Sequence, residues 1–208
     1  MITLIPHDVL TGLTPDAIAA TSQTILGLLE AAATAEEEFR TASFSVFTSS
    51  QLRQPPNDRL GVSLYLYHIA INASRRNAAG RLDPSGTRHQ PPVPLDLHYL
   101  LTAWAKDAIT QQRLLGWAVR LIQNAATLPA GVLNAHDPHT VFQPDETVEI
   151  VWENLSQQDI FDIWDVARAN QQPSAAYVVR IVEIESSIPV EEYPLVQATE
   201  FRYGLVRT

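Results

Sequence analysis

The run Gly-Val-Ser-Leu-Tyr-Leu-Tyr-His-Ile-Ala-Ile-Asn over 61–72 constrains this chain more than any other segment. It is rich in β-branched and aromatic residues and contains no proline or charged side chain. Successive side chains of a strand point to opposite faces, which puts Val62, Leu64 and Leu66 on one side and Tyr65, Tyr67, Ile69 and Ile71 on the other. Both faces then need cover, as in a central strand with layers above and below. The run 93–104 alternates Leu95, Leu97, Tyr99 and Leu101 against Asp96 and His98, a strand with one wet face at its start that suits pairing with the first. A third β-rich run spans 176–185, and shorter ones lie at 43–48, around Phe44, Val46 and Phe47, and at 146–152, around Val148, Ile150 and Trp152.

Helical spacing fills the intervals. From 14 to 38, Thr14 as cap and Pro15 at the first helical position precede Ile18, Thr21, Ile25, Leu28, Leu29 and Ala32 at three- and four-residue steps. Glu36, Glu37 and Glu38 stand where the helix dipole disfavours acids, which predicts a frayed, solvated end. Asp107 caps a second helix whose buried stripe is Ile109, Leu114, Leu115, Ala118, Val119, Ile122 and Ala126. Ser156 and Asp159 form a capping-box-like start for a short helix carrying Ile160, Phe161, Ile163, Trp164 and Ala167. The segment 73–94 gathers Arg75, Arg76, Arg81 and Arg88 among Gly, Ser, Asn and Pro, a composition expected to form a long exposed loop, and 129–144 reads as loop as well. The expectation is an α+β domain over 1–188, a mixed and mainly antiparallel sheet with flanking helices, followed by an extended arm over 189–208. Val190, Tyr193, Leu195, Val196, Phe201, Tyr203 and Leu205 make that arm apolar enough to need a partner, and such arms pair across subunit boundaries.

Several function classes are excluded or left without support. Fourteen Lys and Arg against twenty-three Asp and Glu give a net charge of −9, which repels a nucleic-acid backbone. The absence of cysteine removes disulfides, thiolate metal sites and thiol nucleophiles. No stretch of about 18 apolar residues occurs and the N-terminus lacks a basic leader, so a soluble chain made in the cytoplasm, with no membrane partner, is expected. His136, Asp137 and His139 fall within four residues, but Pro138 denies them a shared helix face, and they read as a solvated loop with no metal. Asp96 and His98 share a strand face without an accompanying nucleophile elbow, which makes them a structural or interface pair. Asp159, Asp162 and Asp165 form the wet edge of a helix. No phosphate-binding glycine loop or calcium loop is present, so neither catalytic residues nor a cofactor can be assigned, and the chain is not expected to be an enzyme.

Longer stretches are more specific. Leu64-Tyr65-Leu66-Tyr67-His68 with Asn72 and Arg75-Arg76-Asn77, then the 94–105 run Pro-Leu-Asp-Leu-His-Tyr-Leu-Leu-Thr-Ala-Trp-Ala, then Gln112-Arg113-Leu114-Leu115-Gly116-Trp117-Ala118 occur in family order. They are followed by Pro144-Asp145-Glu146-Thr147-Val148, the segment from Leu155 to Trp164, and the 173–180 run Pro-Ser-Ala-Ala-Tyr-Val-Val-Arg. Over roughly residues 14–187 the chain resembles the cap, or tail-terminator, proteins of extracellular phage-tail-like contractile injection systems. The resemblance implies a tail-terminator-like domain that forms a homohexameric ring on the baseplate-distal end of the inner tube. There it would end tube growth and anchor the last sheath layer, with tube protein, sheath protein and further copies of itself as partners, in a particle assembled in the cytoplasm and capable of release outside the cell, with action inside or outside the producing cell left open. Arg75, Arg76 and Arg81 in the loop and Tyr193, Phe201 and Tyr203 in the arm are the candidate partner-binding residues. A baseplate or tube adaptor of the same particle, or a cargo- or ligand-binding module, is the alternative.

Overall fold

The computed structural model describes residues 16–53, 60–75, 79–83, 85–136 and 141–190. Thr14, Pro15, Arg76, Asp137, His139, Tyr193, Phe201 and Tyr203 lie outside the described residues. The strands β1 (Ser43–Val46), β2 (Gly61–Ile71), β3 (Val93–Trp104), β4 (Thr127–Pro129), β5 (Thr147–Trp152) and β6 (Ser174–Ile184) form one sheet in the order β1-β2-β3-β6-β5-β4. β1 pairs with β2 in parallel, and every other neighbouring pair is antiparallel. The mixed, mainly antiparallel α+β architecture is therefore the one expected. β2 and β3 pair as their patterns suggested.

Helices cover both faces. On one, α1 (Ala17–Ala33), α3 (Ala108–Asn124) and the single turn α4 (Ala130–Leu133) pack on Val62, Leu64, Leu97, Tyr99, Leu101, Ile150 and Val179. On the other, α2 (Ser49–Arg53) and α5 (Gln157–Val166) bring Leu52 and Trp164 against Leu100, Trp104 and Ala176. Four polar groups inside are paired: Tyr99 Oη and Ser22 Oγ lie 2.8 Å apart, and Trp104 Nε1 donates to Ser63 Oγ at 2.8 Å.

Two bulges correct the simple alternation. Between Leu66 and His68 the register slips, so Tyr67 and His68 both turn to the α5 side. Ile69 and Ile71 thereby stand opposite Leu97 and Leu95, on the face shared with Val62 and Leu64, not with Tyr65 and Tyr67 as the pattern implied. In β6 the pairing passes from Leu95↔Val182 to Leu97↔Val179, and Ile181 adopts φ 64°, a left-handed conformation costly for a β-branched residue. Asp96 supports it by accepting from Ile181 N at 3.3 Å and from Asn72 Nδ2 at 2.8 Å.

Other expectations change at element ends. α1 stops at Ala33, so Glu36, Glu37 and Glu38 lie beyond it, exposed. Asp107 caps α3 by accepting from Thr110 N, but Ile109 is exposed and Leu114, Ala118 and Ile122 form the buried stripe. Phe161 is likewise exposed on α5, where Trp164 is buried. The interval read as loop from 129 contains α4 and a 3-10 turn (Asn134–His136), entered from β4. Asn134 explains it: its Oδ1 accepts from Val141 N and Phe142 N, and its Nδ2 donates to Phe142 O, closing the segment on itself.

Candidate functional site

The arginine-bearing connection between β2 and β3 is held on the body of the domain. Arg81 Nη1 lies 3.2 Å from Asp145 Oδ1, Nη2 lies 2.9 Å from Glu146 Oε1 and 3.3 Å from Glu183 Oε2, and Nε lies 2.8 Å from Glu185 Oε1. Arg75 adds a longer contact of 3.6 Å to Glu183. Glu183 is buried, and the Glu146 and Glu185 side chains are 9% and 16% exposed, so loss of the guanidinium would leave largely desolvated carboxylates without their partner. Burial pushes the Glu146 carboxyl up to about 7, with the Gln143 N–H and Arg81 opposing the shift. Burial raises Glu185 too, again against Arg81. Oxygens of Glu146, Glu183 and Glu185 come within 4.8 Å of one another, but the guanidinium already bridges all three.

Around this cluster is an open cleft of ≈ 930 Å³ lined by Arg75, Arg81, Asp83, His89, Glu183 and Glu185 among others. Asp83 organises its rim: hydrogen bonds from Ser85, then from His89 and Thr87, hold its carboxyl well below the usual range. Gly80 lets the loop double back, since a Cβ there would collide with the His89 carbonyl. His89 N donates to Arg81 O at 2.8 Å, Gln90 N to Ile188 O at 2.8 Å, and Val190 N to Arg88 O at 2.7 Å. The loop is thus laced to 188–190, the root of the C-terminal segment. Of the candidate residues, Arg81 is engaged by carboxylates of its own chain and Arg75 is half-exposed beside them.

Those carboxylates leave no local signal in the sequence because they are distant in the chain, Asp145 by 64 residues and Glu183 by 102. The partner of His98 is equally hidden, 55 residues away. Asp96 and His98 share a face, yet Asp96 serves the β6 bulge, and His98 Nδ1 lies 2.9 Å from Glu153 Oε1. Tyr67 Oη donates to Glu153 Oε2 at 2.6 Å, and the His68 and His98 rings are 5.0 Å apart. Burial, then the bond to Glu153, pushes the Tyr67 phenol upward, so it stays protonated. This network ties Glu153, just past the end of β5, to β2 and β3 and carries no activated nucleophile. Asp159 is committed to the capping box with Ser156, and Asp162 accepts from Gln158 Nε2 at 2.7 Å.

A different feature faces outward. β1 pairs only with Gly61–Leu64, so β2 from Tyr65 to Ile71 has no strand on that side among the described residues. Ile69 and Ile71, with Val93 on the neighbouring strand, are 44%, 59% and 47% exposed, on the face that α1 covers further along. Unpaired backbone beside exposed apolar side chains is a surface built for association.

Residues 20–198 match the family described as the Pvc16 N-terminal domain. Two solved structures share the fold: the sheath/tube terminator of the extracellular contractile injection system PVC in its extended state, and the tube-terminating cap of the anti-feeding prophage. The first gives a TM-score of 0.57 at 17% identity, covering 91% of this chain and 65% of that one. The second gives 0.51 at 13% identity, covering 90% of this chain and 60% of that one. The chain therefore spans under two thirds of the length of either. No curated protein matches.

Proposed function

The chain belongs to the Pvc16 N-terminal domain family, and from that membership we propose that it is a structural cap of a contractile injection particle. In this reading it forms a homohexameric ring on the baseplate-distal end of the inner tube, stops tube growth and anchors the last sheath layer. The observation that carries it is the family match over 20–198 together with a fold shared with a sheath/tube terminator and a tube-terminating cap. The site geometry supports it in kind. Arg81, His98 and Glu153 are spent on holding elements together, while the outward features are an open strand edge and apolar patches, the equipment of an assembly subunit. Its contacts are with copies of itself, tube and sheath, and assembly takes place in the cytoplasm. No helix among the described residues is long and apolar enough to cross a membrane.

Electron microscopy of particles assembled from co-expressed tube, sheath and baseplate proteins, with and without this chain, tests the proposal. Tails of uniform length with six-fold density at the baseplate-distal end only when the chain is present are expected. Equally uniform, capped tails in its absence would overturn it, and density at the baseplate end would make the chain an adaptor.

A further inference from the structure

The open edge of β2 and the apolar side chains beside it call for an occupant. Sheets with an exposed edge are normally blunted by proline or by charged side chains, but Tyr65–Ile71 contains neither. The Tyr67 bulge adds to the exposure, because it aligns Leu66, Ile69 and Ile71 on one face and leaves the last two outside the cover of α1. An added strand would pair with seven residues of backbone and place alternate side chains over Ile69 and Ile71. Apolar and aromatic cross-strand pairs would add to the backbone bonds.

The chain itself contains a segment of that description. Leu195-Val196-Gln197-Ala198-Thr199-Glu200-Phe201-Arg202-Tyr203 is nine residues without proline or glycine, and Thr199, Phe201 and Tyr203 alternate with Glu200 and Arg202. Over 199–203 the first parity is β-branched or aromatic and suited to Ile69 and Ile71, while Glu200 and Arg202 suit the side bearing His68 and the Glu153 network. The segment starts from a fixed point, Val190, whose N–H is bonded to Arg88 O. The eighteen residues after it reach about 60 Å when extended. Its own β2 edge is a poor destination. To arrive there the chain would have to cross the β2–β3 connection at the same end of the sheet, and connections at one sheet edge do not cross. A neighbouring copy presents the same edge with no such obstacle, and a closed ring needs one donor and one acceptor surface on every subunit.

We infer that residues 195–203 of one copy add as a strand to the β2 edge of the next, with Phe201 and Tyr203 seated on Ile69 and Ile71. This rests on the ring reading above and assigns its subunit contact.

The 208 residues contain no cysteine, so an introduced thiol is the only one in each of these chains. Full-length chains carrying Ile69→Cys or Ile71→Cys are mixed with chains carrying Phe201→Cys or Tyr203→Cys, co-assembled with tube and sheath proteins and oxidised. Facing strand positions bring the two Cβ atoms within disulfide range, so a heterodimer about ten-fold above either variant alone is expected. Placing both cysteines in one chain should give a ladder of covalent oligomers that ends at six. Cross-linking confined within single chains would overturn the assignment to a second copy. Capped particles of normal appearance with no cross-link in any of the four pairings would overturn strand addition while leaving the cap function standing. Failure of all the variants and of the unmodified chain to form a terminal density would instead remove the ring reading. Melting temperatures equal to that of the unmodified chain establish that the variants are folded.

Discussion

Arg81 is the residue on which the long β2–β3 connection depends, and its consequences can be worked through one side chain at a time. Replacing it with Met keeps the aliphatic stem but leaves Glu146 and Glu185 without their cation and Glu183 with only the longer contact to Arg75. We expect a loss of about 3 kcal/mol at pH 8, read by urea denaturation, that shrinks as the pH falls and the carboxylates take up protons. Glu146 gives the complementary experiment. Its folded-state value near 7 lies above that of an unfolded glutamate, so the folded form binds more protons between roughly pH 4.5 and 7 and stability falls as pH rises through that window. Glu146→Gln should therefore raise stability by about 1 kcal/mol at pH 8 and leave it unchanged near pH 4. A variant less stable at pH 8 would show that the ion pair with Arg81 outweighs the burial of charge. Tyr177 is simpler: its hydroxyl is buried with no hydrogen-bond partner among the described residues, and Tyr177→Phe should stabilise the fold by about 1 kcal/mol in the same assay. In the sequence Arg81 is visible as a charge in a Pro- and Gly-rich stretch. Nothing there identifies its partners, because ion pairs between residues 64 and more positions apart leave no local pattern.

At the scale of elements, what is local was legible. The Ser156–Asp159 capping box and the Asp107 cap are both formed, because each satisfies helix N–H groups with side chains two or three residues away. The far end of α5 was not legible, although it is as well defined. Arg168 takes φ 52°, Ala169 N donates to Trp164 O and Arg168 N to Asp165 O, the doubly bonded left-handed termination usually built on glycine. Arg168 is exposed and makes no ion pair among the described residues, so Arg168→Gly should stabilise the domain by about 1 kcal/mol in thermal or urea unfolding. The two sheet bulges escaped for a related reason. Alternation predicts faces only while the register is unbroken, and the register at Tyr67 and Ile181 is set by β3, through His98 and Asp96, and not by the strands that bend. The segment around β4 and α4 escaped because its elements are too short to show a period. Leu128 and Leu133 are buried there through tertiary contacts.

For the whole molecule, the family could be read from long ordered stretches of sequence, whereas the surfaces of assembly could not, since they depend on which strand edge the fold leaves uncovered. That distinction changes how the arginine loop should be probed. Reversing the charge of Arg81 tests the fold first, so a partner contact of the loop is better probed at the half-exposed Arg75. It also separates two roles for the C-terminal residues. The bonds Gln90 N to Ile188 O and Val190 N to Arg88 O fasten the loop, and they require the chain to continue to Val190 but no further. A chain ending at Val190 should keep the Gln90 amide protected in hydrogen exchange and melt as the full chain does, yet give no six-fold terminal density in particles. A chain ending at Ser186 should lose both, with exchange at Gln90 rising about ten-fold or more as the fastening opens. If the first truncation capped tails normally, residues 191–208 would have no part in ring closure. If the second left Gln90 protected, Arg81 and its four carboxylates would be sufficient by themselves to hold the loop.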